Sequence, residues 1–126
     1  VMSDALLIDA EGKEINSSFF NLNNSSTGLL NNLVKNSYIG CTMAFNRKVL
    51  NHALPFPKNT PMHDWWIGLV AELFGSIYFC KEPLTRYRRH DSNASASAET
   101  SPYTFREKIN MRYILIANLT RRWFIK

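Results

Sequence analysis

The run Met62-His63-Asp64-Trp65-Trp66 sets a carboxylate and an imidazole directly ahead of two tryptophans. Two readings fit Asp64. As an ordinary first-turn acid it gains about 0.3–1 kcal/mol from the helix dipole. As a general base it must be held rigidly beside the hydroxyl whose proton it accepts. A helix start wedged by Trp65 and Trp66 is a suitable mount, and tryptophan faces suit packing on sugar rings. His63 is the weaker candidate, because a lone histidine in a first turn usually faces solvent or caps.

A second constellation is Arg86-Tyr87-Arg88-Arg89-His90. Guanidinium groups are planar and permanently charged, so a strand end carrying several of them suits phosphate oxygens. Strand alternation predicts Arg86, Arg88 and His90 on one face, with Tyr87 and Arg89 on the other. The alternative is a solvated basic edge that discourages strand-to-strand aggregation. His90 alone is a candidate metal ligand, without a carboxylate at ligand spacing on a secure element nearby. The run Arg121-Arg122-Trp123-Phe124-Ile125-Lys126 mixes cations and aromatics. It reads either as a contact for acidic lipid head groups or as a helix end with its favoured positive charge.

The elements that must position these residues follow from pattern. Met2 to Asp9 reads as a strand, with turn chemistry at Ala10-Glu11-Gly12-Lys13 and a return through Ile15. Asn16 to Thr27 reads as an Asn- and Ser-rich loop pinned by two phenylalanines. Thr27 is the predicted cap of a short helix through Leu29, Leu30, Leu33 and Val34. Ile39 to Phe45 reads as a buried strand, and Arg47 to Leu50 as a brief helical turn stopped by Pro55 and Pro57. Thr60-Pro61 is the predicted start of a helix that repeats Trp65, Trp66, Leu69, Val70, Leu73 and Phe74 up to Gly75. Ser76 to Cys80 and Leu84 to Arg88 read as two strands joined by a turn at Glu82-Pro83. Asp91 to Ser101 reads as a polar loop. Phe105, Ile109, Tyr113, Ile116, Leu119 and Trp123 lie on one stripe of a long amphipathic helix. The sum is a mixed α/β half-domain of four or five strands, whose first strand needs partners from elsewhere.

The 126 residues, 45% hydrophobic and 13% aromatic, suffice for one core and not for two. Eight Phe, five Tyr and three Trp argue against a disordered chain. Cys41 and Cys80 sit in apolar runs and read as reduced, buried thiols, which points to a reducing, cytoplasmic compartment. Neither a membrane-spanning run nor a signal peptide is visible. The formal charge of +5 has one source. Residues 103–126 hold six basic side chains against one acid, Glu107, and account for the whole excess. A body neutral in charge disfavours a nucleic-acid binder. The opening Val1-Met2, entering a strand at once, suggests a fragment. Phosphate-cradling glycine loops, zinc motifs and serine nucleophile elbows are absent from the sequence.

Four stretches taken in order resemble the second half of family 2 glycosyltransferases, particularly bacterial rhamnosyltransferase-like members. Met2 to Asp9 with Glu11-Gly12 is similar to the strand after that family's Asp-x-Asp segment. Ile39 to Arg47 is similar to the strand where the acceptor site begins. His63-Asp64-Trp65-Trp66 looks like the helix start carrying the catalytic aspartate, and Tyr87-Arg88, His90, Asn93 and Ser95 match the closing motif. The resemblance implies a partial GT-A-like mixed sheet with flanking helices, residues 1–101 forming the acceptor-side half and 102–126 a basic amphipathic helix. It implies inverting transfer from a nucleoside-diphosphate sugar to a saccharide or lipid-linked saccharide hydroxyl in bacterial surface polysaccharide synthesis, at the inner face of the cytoplasmic membrane. Asp64 would be the base. Arg88 and His90 would close over the diphosphate, with His90 reaching the metal. Gly40 and Cys41 would line the acceptor side, and His63, Trp65 and Trp66 would contact substrate. The family commonly uses Mg²⁺ or Mn²⁺ held by Asp-x-Asp carboxylates. Those carboxylates and the nucleotide-binding half are outside this sequence, and Asp4 and Asp9 are not spaced to replace them. The chain alone is therefore expected to bind no metal and to be inactive. The competing expectation is a noncatalytic interaction module, peripheral to a membrane through its terminal helix.

Overall fold

Five of the seven residues of β1 (Met2–Ile8) are apolar and six are buried, as suits the central strand of a three-stranded sheet. A computed structural model describes residues 1–89, 101 and 103–124. His90, Asn93, Ser95 and the polar loop expected at 91–101, Ser101 apart, lie outside the described residues. After β1 the chain turns at Gly12, whose φ of 90° is easy only for glycine. It returns antiparallel as β2 (Glu14–Asn16). Then follow α1 (Phe19–Asn23), α2 (Leu29–Val34), α3 (Arg47–Ala53), α4 (His63–Phe74), β3 (Phe79–Arg88) and α5 (Phe105–Phe124). The order across the sheet is β2-β1-β3, with β3 parallel to β1.

The mixed α/β class and the terminal helix match expectation, but the strand count is three among the described residues rather than four or five. Two expected strands have merged. Phe79 to Arg88 is one strand, with the turn expected at Glu82-Pro83 replaced by an irregularity in register where Pro83 stands opposite Asp4. Proline has no N–H to give the ladder, so the pairing slips there and resumes. The strand expected at Ile39 to Phe45 is instead a 3₁₀ turn at Gly40–Thr42. The Thr42 amide and hydroxyl both donate to the Ile39 carbonyl, and Met43 alone bridges back to Met2.

Helix starts differ from expectation for local reasons. The loop expected around Phe19 contains α1, capped by Ser18, whose hydroxyl accepts from the Asn21 amide and donates to Asp4. Gly28 rather than Thr27 precedes α2, at φ 109°, and its N–H donates to Glu72. The expected cap Thr60 donates its hydroxyl to the Pro57 carbonyl instead, so α4 begins at His63 after Met62. Thr104 and Glu107 open α5 reciprocally. The Glu107 carboxylate accepts from the Thr104 amide and hydroxyl, and the Thr104 oxygen accepts from the Glu107 amide. Those bonds lower the Glu107 carboxyl below the usual carboxylate range.

The core has two parts. Met2, Tyr38, Ala53, Trp65, Trp66 and Leu69 pack with Leu115 and Leu119 of α5, while Ala5, Leu7, Phe19 and Ile39 form a smaller cluster. The terminal helix, read from sequence as a segment apart, therefore shares the main core. Its buried face is not the expected stripe. Of that stripe only Leu119 is buried, and Phe105, Ile109, Tyr113, Ile116 and Trp123 are exposed. The covered face runs through Met111, Leu115 and Leu119.

Candidate functional site

Asp64 stands in the first turn of α4, half-buried. Its mount is a helix buried without a break from Trp65 to Ala71. Trp66 is fully buried and donates its indole N–H to the Ala53 carbonyl at 2.9 Å. Trp65 is 3% exposed and donates to the Asn32 carbonyl at 2.7 Å. Asn32 is itself fully buried: its amide donates to the Ser26 and Gly28 carbonyls and its side-chain oxygen accepts from the Ser37 amide. A buried polar network satisfied at every atom holds a single arrangement, because any displacement leaves a desolvated group unpaired. The expectation that Trp65 and Trp66 offer their faces to a sugar is corrected: both rings are spent on the core, and what they supply is rigidity. Asn32 is the residue that sequence reading missed. An asparagine among the leucines of a short helix was the only signal.

The carboxylate of Asp64 faces the 3₁₀ turn. One oxygen accepts from the Gly40 amide at 3.2 Å and the other from the Trp65 amide at 2.8 Å. Each carboxylate oxygen has two acceptor directions, so one on each remains for a further donor such as a hydroxyl. Gly40 lies against Asp64 and His63 without crowding, and a side chain there would meet them at ordinary van der Waals distances. A β-carbon there would stand 3.4 Å from the Asp64 Cβ, 3.6 Å from its Oδ2 and 3.6 Å from the His63 Nε2. Cys41 is exposed as a residue, yet burial of its sulfur is the largest influence on the thiol and pushes it up. A backbone hydrogen bond opposes this, and the charge of Asp64 adds to the rise. A thiol pushed up stays protonated at neutral pH and is a poor nucleophile. Gly40, Cys41, His63 and Asp64 are thus brought together from positions distant in sequence.

Arg88 is positioned differently. It pairs with Ile8 in the β1–β3 ladder, and its guanidinium donates to the carbonyls of Asp9 and Ala10 in the turn after β1. The alternation expected of this strand holds, with Arg86 and Arg88 exposed, Tyr87 packed against the smaller cluster and Arg89 over the Tyr87 ring. His90 cannot be placed, lying outside the described residues. Two surface cavities, of about 450 and about 650 Å³, are lined by neither Asp64 nor Gly40 nor Cys41. Asp64 is half-buried and lies outside both of these cavities.

The described residues do not fit a resident divalent cation. Three or more His, Cys, Asp or Glu side chains nowhere cluster among them. The Asp4 carboxylate is buried and accepts from the Ala5 and Phe20 amides and the Ser18 hydroxyl. The Asp9 carboxylate accepts from the Lys13 amide to close the first turn. Both have structural work.

Comparison with family models, with curated proteins and with solved structures returns no match. Among the described residues, no helix is long and apolar enough to cross a membrane.

Proposed function

We propose that this chain is the acceptor side of an inverting GT-A-type glycosyltransferase of family 2 character, in which Asp64 takes the proton of the acceptor hydroxyl. The observation that supports it most is the Asp64 carboxylate itself. It is oriented by two amide donors, mounted on a core-locked helix start, and only half-buried, with acceptor capacity to spare. A general base needs that combination of fixed position and access. The four ordered motifs of the sequence supply the substrate class.

In the reaction the acceptor O–H proton passes to an Asp64 oxygen as the acceptor oxygen forms its bond to the anomeric carbon. The bond from that carbon to the diphosphate breaks, and the diphosphate leaves with the electron pair from the opposite face. Gly40 and His63 shape the approach to Asp64. Arg88 would meet the diphosphate by exchanging the carbonyls of Asp9 and Ala10 for phosphate oxygens, which bind guanidinium more strongly. The proposal places this work in the cytoplasm, on saccharide or lipid-linked saccharide acceptors for bacterial surface polysaccharide, with the donor held by a nucleotide-binding half and its Mg²⁺ or Mn²⁺.

The test is Asp64→Asn in the protein that contains both halves. The expected result is a fall in kcat of about 10²–10⁴-fold, with donor affinity unchanged by calorimetric titration. An amide cannot accept from both Gly40 and Trp65 through separate oxygens, so a thermal melt checks that the fold survives. A variant that melts normally and turns over at near the parent rate removes Asp64 from the mechanism.

A further inference from the structure

Helix α5 carries two apolar faces, and only one of them is used by the core. At about 100° per residue, Met111, Leu115 and Leu119 point to the core, while Phe105, Ile109, Tyr113, Ile116 and Trp123 run along a separate stripe. That stripe is open: Phe105 is 79% exposed, Tyr113 71% and Ile109 53%. Large apolar side chains gathered on one exposed face mark a contact surface.

The charges around the stripe say what kind of contact. Arg106 is exposed beside it, and Arg121, also exposed, lies farther round the helix beyond Tyr113. Lys58, also exposed, approaches its Tyr113 edge from the loop between α3 and α4, where Phe56 and Lys58 share a groove with Tyr113 and Arg121. No acidic side chain lines that groove. The one acid of α5, Glu107, lies about 40° round the helix from Arg121, and its carboxylate is bound to Thr104. Two other cations of the helix are engaged elsewhere and help to dock it. Arg112 donates to the Val34 carbonyl and lies over the Trp65 ring at 5.7 Å, and Arg122 donates to the Pro55 carbonyl. The helix is thus fastened by two arginines on its inner side and presents an apolar stripe bordered by cations on its outer side.

We propose that α5 and the Phe56–Lys58 loop lie on an anionic lipid surface, with the stripe sunk among the acyl chains and Lys58, Arg106 and Arg121 at the phosphate level. An apolar stripe flanked by cations is the pattern of helices that lie in the membrane interface. A second copy of the chain would bring like charges face to face, which the same cations oppose. The inference stands apart from glycosyl transfer, since neither Asp64 nor its partners belong to this face.

Vesicle flotation and tryptophan emission test it. The probes are vesicles of phosphatidylcholine alone and of phosphatidylcholine with phosphatidylglycerol in equal parts. Trp65 and Trp66 are already buried and Trp123 is 49% exposed, so burial of Trp123 is read as a blue shift. The expected result is flotation and a blue shift with the anionic vesicles only, weakened by salt. Arg106→Glu with Arg121→Glu lowers partitioning about tenfold or more. Ile109→Ser with Tyr113→Ser and Ile116→Ser abolishes the blue shift while the melting temperature holds, because all three side chains are outside the core. Absence of flotation with anionic vesicles at low salt overturns the proposal, as does equal binding by the serine variant. So does a dimer, seen by sedimentation, that the serine variant breaks in a chain that ignores vesicles.

Discussion

Helix α4 hides seven consecutive residues, Trp65 to Ala71, within twelve, whereas α5 buries only Leu115 and Leu119 within twenty. Both show apolar residues at helical spacing. The difference lies in what surrounds them. Helix α4 is enclosed by Met2 of the sheet, Ala53 of α3, Asn32 of α2 and Leu115 of α5, so every side of it meets protein. Helix α5 is outermost and meets protein along one side. Periodicity therefore announces a helix without saying which stripe its neighbours will cover. The catalytic candidate rides on the enclosed helix and the candidate lipid contact on the open one, as a base that must not move and a surface that must be reached would require.

Paired tryptophan variants put this contrast to its hardest test. Trp66→Ala empties a fully enclosed site and orphans the Ala53 carbonyl, and is expected to cost about 3–5 kcal/mol. Trp123→Ala, at a half-exposed ring stacked 5.9 Å from Phe74, is expected to cost about 1 kcal/mol or less. Urea unfolding of both variants gives the comparison directly. Similar losses would mean that α5 is held as firmly as α4.

Gly68 sharpens the point within α4. Helix propensity favours alanine over glycine by about 0.8–1 kcal/mol, so Gly68→Ala would stabilise an open helix. Here a new β-carbon would fall 2.3 Å from the Tyr38 ring. The ring is buried and cannot swing clear, and such overpacking costs about 1–3 kcal/mol. The expected net change is a loss, read as a lower urea midpoint with an unchanged slope. A gain would show that Tyr38 has room to shift and that α4 is less closely packed than its burial implies.

How far the sequence reveals this arrangement depends on how local each cause is. The first strand, its glycine turn and the existence of α3, α4 and α5 follow from local pattern, and all five are found. The misread helix start is local, whereas the misplaced strand and the misread face of α5 have nonlocal origins. The Gly40 segment leaves the sheet edge as a 3₁₀ turn and gives its amide to Asp64, a partner 24 residues away. Thr60 looks like a cap, but its hydroxyl is taken by Pro57. The Phe105–Trp123 stripe has the larger side chains, yet the position of α2 and of the α3–α4 loop selects the Leu115 face. The Thr104–Glu107 box was readable from spacing alone and passed unread. Within the site, the resemblance brought Asp64, Gly40, Cys41 and His63 into one group, and the structure places those four side by side. Asn32 stayed hidden because the value of a buried amide depends on partners that no local window contains.

Alkaline pH gives the gentlest probe of the same core. Burial, with the Glu72 carboxylate as neighbour and hydrogen-bond partner, pushes the Tyr38 phenol far above its ordinary value near 10. An unfolded chain loses that proton near pH 10 while the folded chain keeps it. Stability is therefore unaffected by this group below about pH 10 and falls above it, by at most about 1.4 kcal/mol per pH unit. Tyr38→Phe forfeits the bond to Glu72, at a cost of about 1 kcal/mol at neutral pH, and removes the alkaline loss. Urea midpoints of parent and variant should converge as pH approaches about 11, with Tyr113→Phe on the exposed face of α5 as the reference. Parallel curves throughout would mean that the phenol reaches solvent, and that the wall of the core beside Gly68 opens on the timescale of unfolding.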